Sequence, residues 1–251
     1  MHRFFVPSQN FLPASPEGRP GGIIISGKNE IHHIRDVLRL NLNDPLIITD
    51  EKGNEFLCSV KKLRPRVAVS IVRILTSSVR SRNFFLSVAC AIPKKSAMDD
   101  IVDKLTQLGV DRIIPLKTRR VVTDLDERKK QLRLSRWLRI AQSSSSQSQR
   151  NILPVVEPIK ELNEVLRDYA NYDLKLIPTL QGERRTLREI FLNSQPKNIL
   201  VLIGPEGDFT EAEVAHAKKS GCIAVSLGER VLRVETAAVA VTSFIFLYGL
   251  H

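Results

Sequence analysis

From residue 198 to residue 248 the chain alternates twice between a short apolar run and a longer one with helical spacing. Residues 198–203 (NILVLI) and 222–226 read as strands, and residues 210–220 and 234–248 as helices. Strands joined through single helices pair in parallel, and a parallel sheet is buried on both faces. The same alternation is legible upstream. A strand is expected over 84–92, a helix over 98–108 stopped by Gly109, a strand over 112–116 and a basic helix from about 126 to 141 with Leu134, Leu138 and Ala141 on one face. A helix over 159–169, a strand over 174–178 and a short helix over 186–192 follow. The expected class is α/β, a mostly parallel sheet covered by helices.

The first part of the chain reads differently. Short β-branched runs over 4–6, 22–26, 45–49, 55–62 and 67–75 are separated by turn signals such as Asp50-Glu51-Lys52-Gly53-Asn54, the pattern of a small barrel. One helix is expected over 29–38, with Ile31, Ile34 and Leu38 on its apolar face and Asn29 as N-cap. Residues 76–83 (TSSVRSRN) lack any apolar period, which places a domain boundary there. Two domains, 1–76 and 77–251, suit a length of 251 residues.

Charge narrows the choice of partner. Lys and Arg number 38 against 27 acids, a net charge of +11, and +7 of it lies between Arg112 and Arg139. Such an excess suits an anionic partner, nucleic acid or a membrane surface, although a solvated helix flank also carries runs of this kind. The longest uncharged run, 236–250, falls short of the roughly 20 residues that cross a bilayer. MHRFFVPSQN lacks the apolar stretch of a signal peptide, and Cys58, Cys90 and Cys222 are too scattered for a disulfide framework. A cytoplasmic protein is expected. P-loop, dinucleotide-binding and nucleophile-elbow motifs are absent, as is any Cys-x-x-Cys. Histidines 2, 32, 33, 216 and 251 are not spaced as metal ligands, so no metal is expected.

Two glycine-marked loops remain. In residues 202–210 (LIGPEGDFT), Thr210 and Glu213 form a capping box, so 204–209 is a tight loop at a strand's C-terminal end, where parallel sheets bind ligands. Residues 227–236 (LGERVLRVET) join the next strand and helix in the same way. Side by side, the loops can present backbone groups to a flat heterocycle, with glycine permitting close approach. On composition alone, ordinary strand-to-helix turn chemistry explains them equally well.

Gly204-Pro205-Glu206-Gly207 with Ala212-Glu213-Val214, and Ser226-Leu227-Gly228 with Arg230-Val231-Leu232-Arg233 and Glu235-Thr236-Ala237-Ala238, resemble the signature of the SPOUT methyltransferases, which carry a C-terminal trefoil knot, and among them the RsmE type. The resemblance extends over almost the whole chain. Arg3-Phe4-Phe5 and residues 32–39 (HHIRDVLR) resemble that family's N-terminal PUA-like RNA-binding barrel. Lys104 to Val110 (KLTQLGV), Ile114-Pro115-Leu116, and Gln147-Ser148-Gln149-Arg150 with Pro154 resemble its central segments. The resemblance implies methylation of N3 of one uridine in small-subunit (16S) ribosomal RNA with S-adenosyl-L-methionine. Three positions depart from the pattern: Asp208 stands where a second glycine is usual, and Gln107 and Ser146 stand where glutamate is.

The chemistry so implied assigns roles. N3 must lose its proton and sit about 3 to 3.5 Å from the methyl group in a site that excludes water. It lies on the Watson–Crick edge, so the uridine must be unpaired or flipped out. The donor is expected against Ile203, Gly204, Glu206, Gly207, Leu227, Gly228, Val231, Leu232 and Thr236. Arg233 can stabilise the developing negative charge through O2 or O4, or simply pair with Glu235 or Glu206. Glu206 can position the donor, act as a base, or merely occupy a turn. Arg150 is the candidate for holding the target nucleotide or its phosphate. Arg3, His33, Arg35 and Arg39 in the barrel, and Arg128, Lys129, Lys130 and Arg133 on the basic helix, are the candidate RNA contacts. Ser143 to Ser146 read as an RNA-contacting loop or a helix terminus. Val239, Phe244, Phe246 and Leu247 offer more apolar surface than one helix face needs, which suggests a homodimer. A non-catalytic RNA-binding assembly protein, and a methyltransferase acting on a ribose 2′-hydroxyl or another base, are the rival readings.

Overall fold

Each long apolar run of the C-terminal part becomes a strand of one parallel sheet. The computed structural model describes residues 1–13, 21–76, 82–93, 97–120, 126–192 and 194–248. Contacts divide the chain into one unit of Met1–Ser81 with Ser145–Leu153 and another of Arg82–Ser144 with Pro154–His251. A single cut near residue 76 therefore does not describe it, because residues 145–153 group with the N-terminal unit. Residues 77–81 of the expected boundary lie outside the described residues.

The N-terminal unit is a six-stranded sheet of β1 (Arg3–Phe5), β2 (Phe11–Leu12), β3 (Gly22–Ile25), β4 (Pro45–Thr49), β5 (Glu55–Lys62) and β6 (Val67–Thr76). Its order is β1-β4-β5-β6-β3-β2, antiparallel except for β1 with β4. Alternate residues such as Ile23 and Ile25, Leu46 and Ile48, Cys58 and Val60 meet in one core. The expected helix over 29–38 is instead α1 (Lys28–His32) running into a π-helical turn, His33–Val37. Gly27, not Asn29, is the N-cap and offers no side-chain bond. Ile34 is buried and Ile31 and Leu38 pack against the same core, so the expected apolar face is kept although the turn is wider.

The second unit comprises β7 (Phe85–Ala91), α2 (Ala97–Leu108), β8 (Arg112–Lys117), α3 (Glu127–Gln147, whose last three residues group with the first unit), β9 (Val155–Val156), β10 (Lys160–Glu161), α4 (Leu162–Asp168), β11 (Leu174–Pro178), β12 (Arg185–Thr186), α5 (Leu187–Leu192), β13 (Asn198–Ile203), α6 (Glu211–Lys219), β14 (Ile223–Ser226) and α7 (Val234–Tyr248). The strands are all parallel in the order β10-β8-β7-β13-β11-β14-β12, with β9 beside β8. Leu86, Val88, Ile113, Leu176, Val201 and Ile203 face a layer of α2, α5, α7 and Trp137. Ala89, Ile114, Leu116, Ile177, Leu200 and Leu202 face α4 and α6. This alternation buries both faces, each fully buried aliphatic contributing about 1.5–3 kcal/mol.

α3 runs past its expected end near 141, and the serine segment forms its last turn, the helix terminus that is one of the two expected readings. Ser144 and Ser145 are buried, and the Ser144 hydroxyl donates to the Asp103 carboxylate on α2, which removes the usual cost of serine inside a helix. Among the described residues no helix is long and apolar enough to cross a membrane.

Candidate functional site

Three strands that neighbour one another in the sheet, β13, β11 and β14, end at one open cleft. From β13 come Ile203, Gly204, Pro205, Glu206 and Asp208; from β14 come Leu227, Gly228, Arg230, Val231 and Leu232; the first turn of α7 adds Val234 and Ala237. The loop after β11, with Pro178, Thr179, Leu180 and Arg184, forms the third wall. It follows from the sheet order, which inserts β11 between two strands that come later in the chain. Sequence reasoning missed this wall; within that loop Gly182 takes a φ of 64°, and a glycine between strand and helix is the one mark that could have pointed to a turn there.

The β13 loop is a hydrogen-bonded turn, with the Asp208 N–H donating to the Pro205 carbonyl at 2.9 Å. Glu206 is exposed at its tip. Thr210 caps α6, its hydroxyl accepting from the Glu213 N–H while the Glu213 carboxylate accepts from the Thr210 N–H, so the expected capping box is present. Gly204 is needed by protein packing: a Cβ there would stand 3.0 Å from the ring of buried Phe209. Gly228 is different. Its φ is 110° and a Cβ would meet nothing within 4 Å, so the backbone lies bare beside open space.

Seven of the nine expected donor contacts, Ile203, Gly204, Glu206, Leu227, Gly228, Val231 and Leu232, line the cleft. Gly207 does not: it faces the Arg120 side chain, which donates to its carbonyl. Thr236 is exposed on α7 and is also outside the lining. Arg233 stands between lining residues, is exposed, and makes no side-chain hydrogen bond or ion pair with the described residues, which answers the alternative of a salt bridge to Glu235 or Glu206. Its carbonyl accepts the first bond of α7 from the Ala237 N–H at 2.8 Å. A cation at a helix N-terminus opposes the helix dipole, so helix stability does not explain it. Arg150 is not among the lining residues. It groups with the N-terminal unit, where its Nε donates to the Ile152 carbonyl at 3.0 Å. Cys90, at the end of β7, is held protonated by burial and then by the charge of Glu235, which leaves no thiolate nucleophile there. Among the described residues no cluster of His, Cys, Asp and Glu suits a metal ion.

The candidate RNA contacts divide. Arg3 is largely buried and paired to Glu55 at 3.0 Å, so it is a strand anchor, contrary to expectation. His33 and Arg39 are exposed, His33 with its ring against Phe4, and Arg35 donates to the Pro65 carbonyl. On α3, Arg128 is exposed, whereas Lys129 and Lys130 pair with Asp126 and Glu127 one turn back. Arg133 is half-buried.

The chain thus holds a parallel α/β unit with a cleft at its strand ends, and a small β unit that carries exposed cations. Residues 80–246 match the model of an RNA methyltransferase domain and residues 25–72 that of an RNA methyltransferase PUA domain. The chain belongs to this RNA methyltransferase family. It is 31% identical over 214 residues to the ribosomal RNA small subunit methyltransferase E of Bacillus subtilis, spanning 83% of each chain. A methyltransferase from Legionella pneumophila, solved with bound SAM, superposes with a TM-score of 0.86 at 29% identity, over 98% of this chain and 96% of that one. The Neisseria gonorrhoeae ribosomal RNA small subunit methyltransferase E, bound to S-adenosyl methionine, gives 0.81 at 30% identity over the same shares.

Proposed function

We propose that this chain transfers a methyl group from S-adenosyl-L-methionine to N3 of one uridine in small-subunit (16S) ribosomal RNA. The observation that carries the reading is the cleft where β11, β13 and β14 end, with Gly228 presenting bare backbone to open space. Ile203, Leu227, Leu232 and Ala237 give it apolar walls, and the main chain of the β14 loop gives it polar ones, which fits a flat adenine with a polar tail. When bound, that donor supplies an electrophilic methyl group on a sulfonium. The chain's own residues do the rest. Arg233, exposed beside Leu232 and without a side-chain partner among the described residues, is assigned to the negative charge that develops on the uracil carbonyls as N3 loses its proton. Glu206, at the tip of its turn, is assigned to positioning or to accepting that proton. With donor and uracil seated, the apolar walls cover the reacting atoms on one side, and the substrates themselves must close the rest against water.

Further readings accompany this one. The order in which β13 and β11 return to the middle of the sheet supports a trefoil knot. The PUA family match supports a barrel that docks RNA through His33, Arg35 and Arg39, with Arg150 in the same unit assigned to the phosphate of the target nucleotide. Exposed Leu247, next to a stacked Phe244 and Tyr248, supports a homodimer through α7. Three unpaired thiols support a reducing, cytoplasmic location.

Calorimetry tests the donor site. S-adenosylhomocysteine is expected to bind, and ATP and NAD are not. ATP binding with no response to S-adenosylhomocysteine overturns the reading.

A further inference from the structure

Asp208 has a φ of 62°, the left-handed conformation that favours glycine. Its carboxylate is not idle. Oδ2 accepts from the Thr179 hydroxyl and from the Leu180 N–H, each at 2.8 Å, and lies 3.5 Å from the Gln181 amide nitrogen. Gln181 also donates to the Phe209 carbonyl at 2.6 Å, and its N–H donates to the Thr179 hydroxyl at 3.2 Å. Oδ1 accepts from the Phe209 N–H at 2.7 Å. The Asp208 carboxylate thus joins the loop after β11 to the loop after β13, with the Gln181 amide beside it, and Thr179, Leu180 and Asp208 all line the cleft.

We propose that Asp208 is a positioning residue of the donor cleft, holding the Thr179–Leu180 wall at a fixed distance from the Gly204–Glu206 wall. The proposal rests on the reading of this cleft as the methyl-donor site. A charged acceptor on several donors is among the stronger hydrogen-bonding arrangements, and here it spans two loops that no strand pairing connects at this point. A glycine at 208 would keep the backbone turn but remove the charged acceptor, leaving the Gln181 amide on the Phe209 carbonyl as the tie between the two loops and the Thr179 N–H on the Val225 carbonyl as the tie to β14. The wall would then be ordered when donor binds, and that ordering would weaken binding.

Asp208→Gly isolates the strap, since glycine accepts the left-handed φ without strain. The variant is expected to bind S-adenosylhomocysteine about 10- to 100-fold more weakly, the equivalent of one charged hydrogen-bond set. With donor saturating, kcat should stay within about threefold of the parent, so the loss falls on the donor KM. Asp208→Asn, which keeps an oxygen acceptor, should recover most of the affinity, and Thr179→Val should give a smaller loss of the same kind. Circular dichroism and thermal melts establish that each variant is folded. If the parent chain itself fails to bind S-adenosylhomocysteine, the donor-site reading falls. If the parent binds and folded Asp208→Gly binds equally well, or loses kcat rather than affinity, the strap falls and the donor site stands. Should Asp208→Gly fail to fold, Thr179→Val decides: unchanged donor affinity overturns the proposal.

Discussion

A Cβ built on Gly204 stands 3.0 and 3.1 Å from two carbons of the Phe209 ring and 3.3 Å from the Phe209 nitrogen, and Phe209 is fully buried. Gly204→Ala must therefore push a core ring, at a cost of about 1–3 kcal/mol, which denaturant titration would register; an unchanged midpoint would contradict this packing. The effect reaches the donor only through the displaced loop. Arg233 belongs to the reaction instead. If its guanidinium meets charge that appears only as N3 attacks, Arg233→Ala should lower the single-turnover rate by about 10² to 10³ while donor and RNA affinities fall far less. Lysine should rescue only part, because a point charge does not match a planar fork. A near-normal rate, or a loss wholly explained by donor binding, would make Arg233 structural. The two glycine loops were legible because glycine after a strand marks a strand-to-helix turn. What glycine does there was not, since Gly204 answers to Phe209 from five residues on and Gly207 to Arg120 from another loop.

At the scale of elements, α7 and the sheet strands β4, β5 and β13 fall at the residues where apolar periodicity ends, because burial alone dictates them. Where tertiary contacts compete with local preference, the reading failed. α3 runs on past its expected end near 141, its last turn made of the four serines with Ser144 bonded to Asp103, and the N-terminal helix passes into a π turn that local spacing does not signal. The third cleft wall was missed for a topological reason: no local signal tells where β11 enters the sheet. The cations of α3 are a matter for experiment. Replacing Arg128, Lys129, Lys130 and Arg133 by Ala should reduce the salt dependence of single-stranded RNA binding by about 0.7 log units per lost phosphate contact, and leave donor affinity alone. Lys129 and Lys130 already pair with carboxylates one turn away, so their shares should be the smaller. An unchanged salt slope would leave α3 a solvated flank.

Across the whole molecule, Cys58, Cys90 and Cys222 are free and buried. Burial pushes the Cys58 thiol up to about 12 and Cys222 to about 11, the latter against the pull of Lys175, and raises Cys90 further. At pH 8 a thiol reagent should label none of them in the folded chain and all three in denaturant; prompt labelling of the folded chain would contradict this burial. The unfolded chain loses these protons near its ordinary thiol value while the folded chain keeps them, so stability should fall as pH rises above about 9. The unit that buries Cys90 and Cys222 also sets β11, β13 and β14 side by side, and with them the cleft on which the proposed function depends. The most direct measurement incubates the purified protein with isotopically labelled S-adenosyl-L-methionine and small-subunit ribosomal RNA, free and in assembled particles, and then identifies the labelled nucleoside by mass spectrometry. Label in 3-methyluridine at a single position is the expected result. Label in a ribose-methylated nucleoside or another base, or no transfer to either form of the RNA, would contradict the assignment.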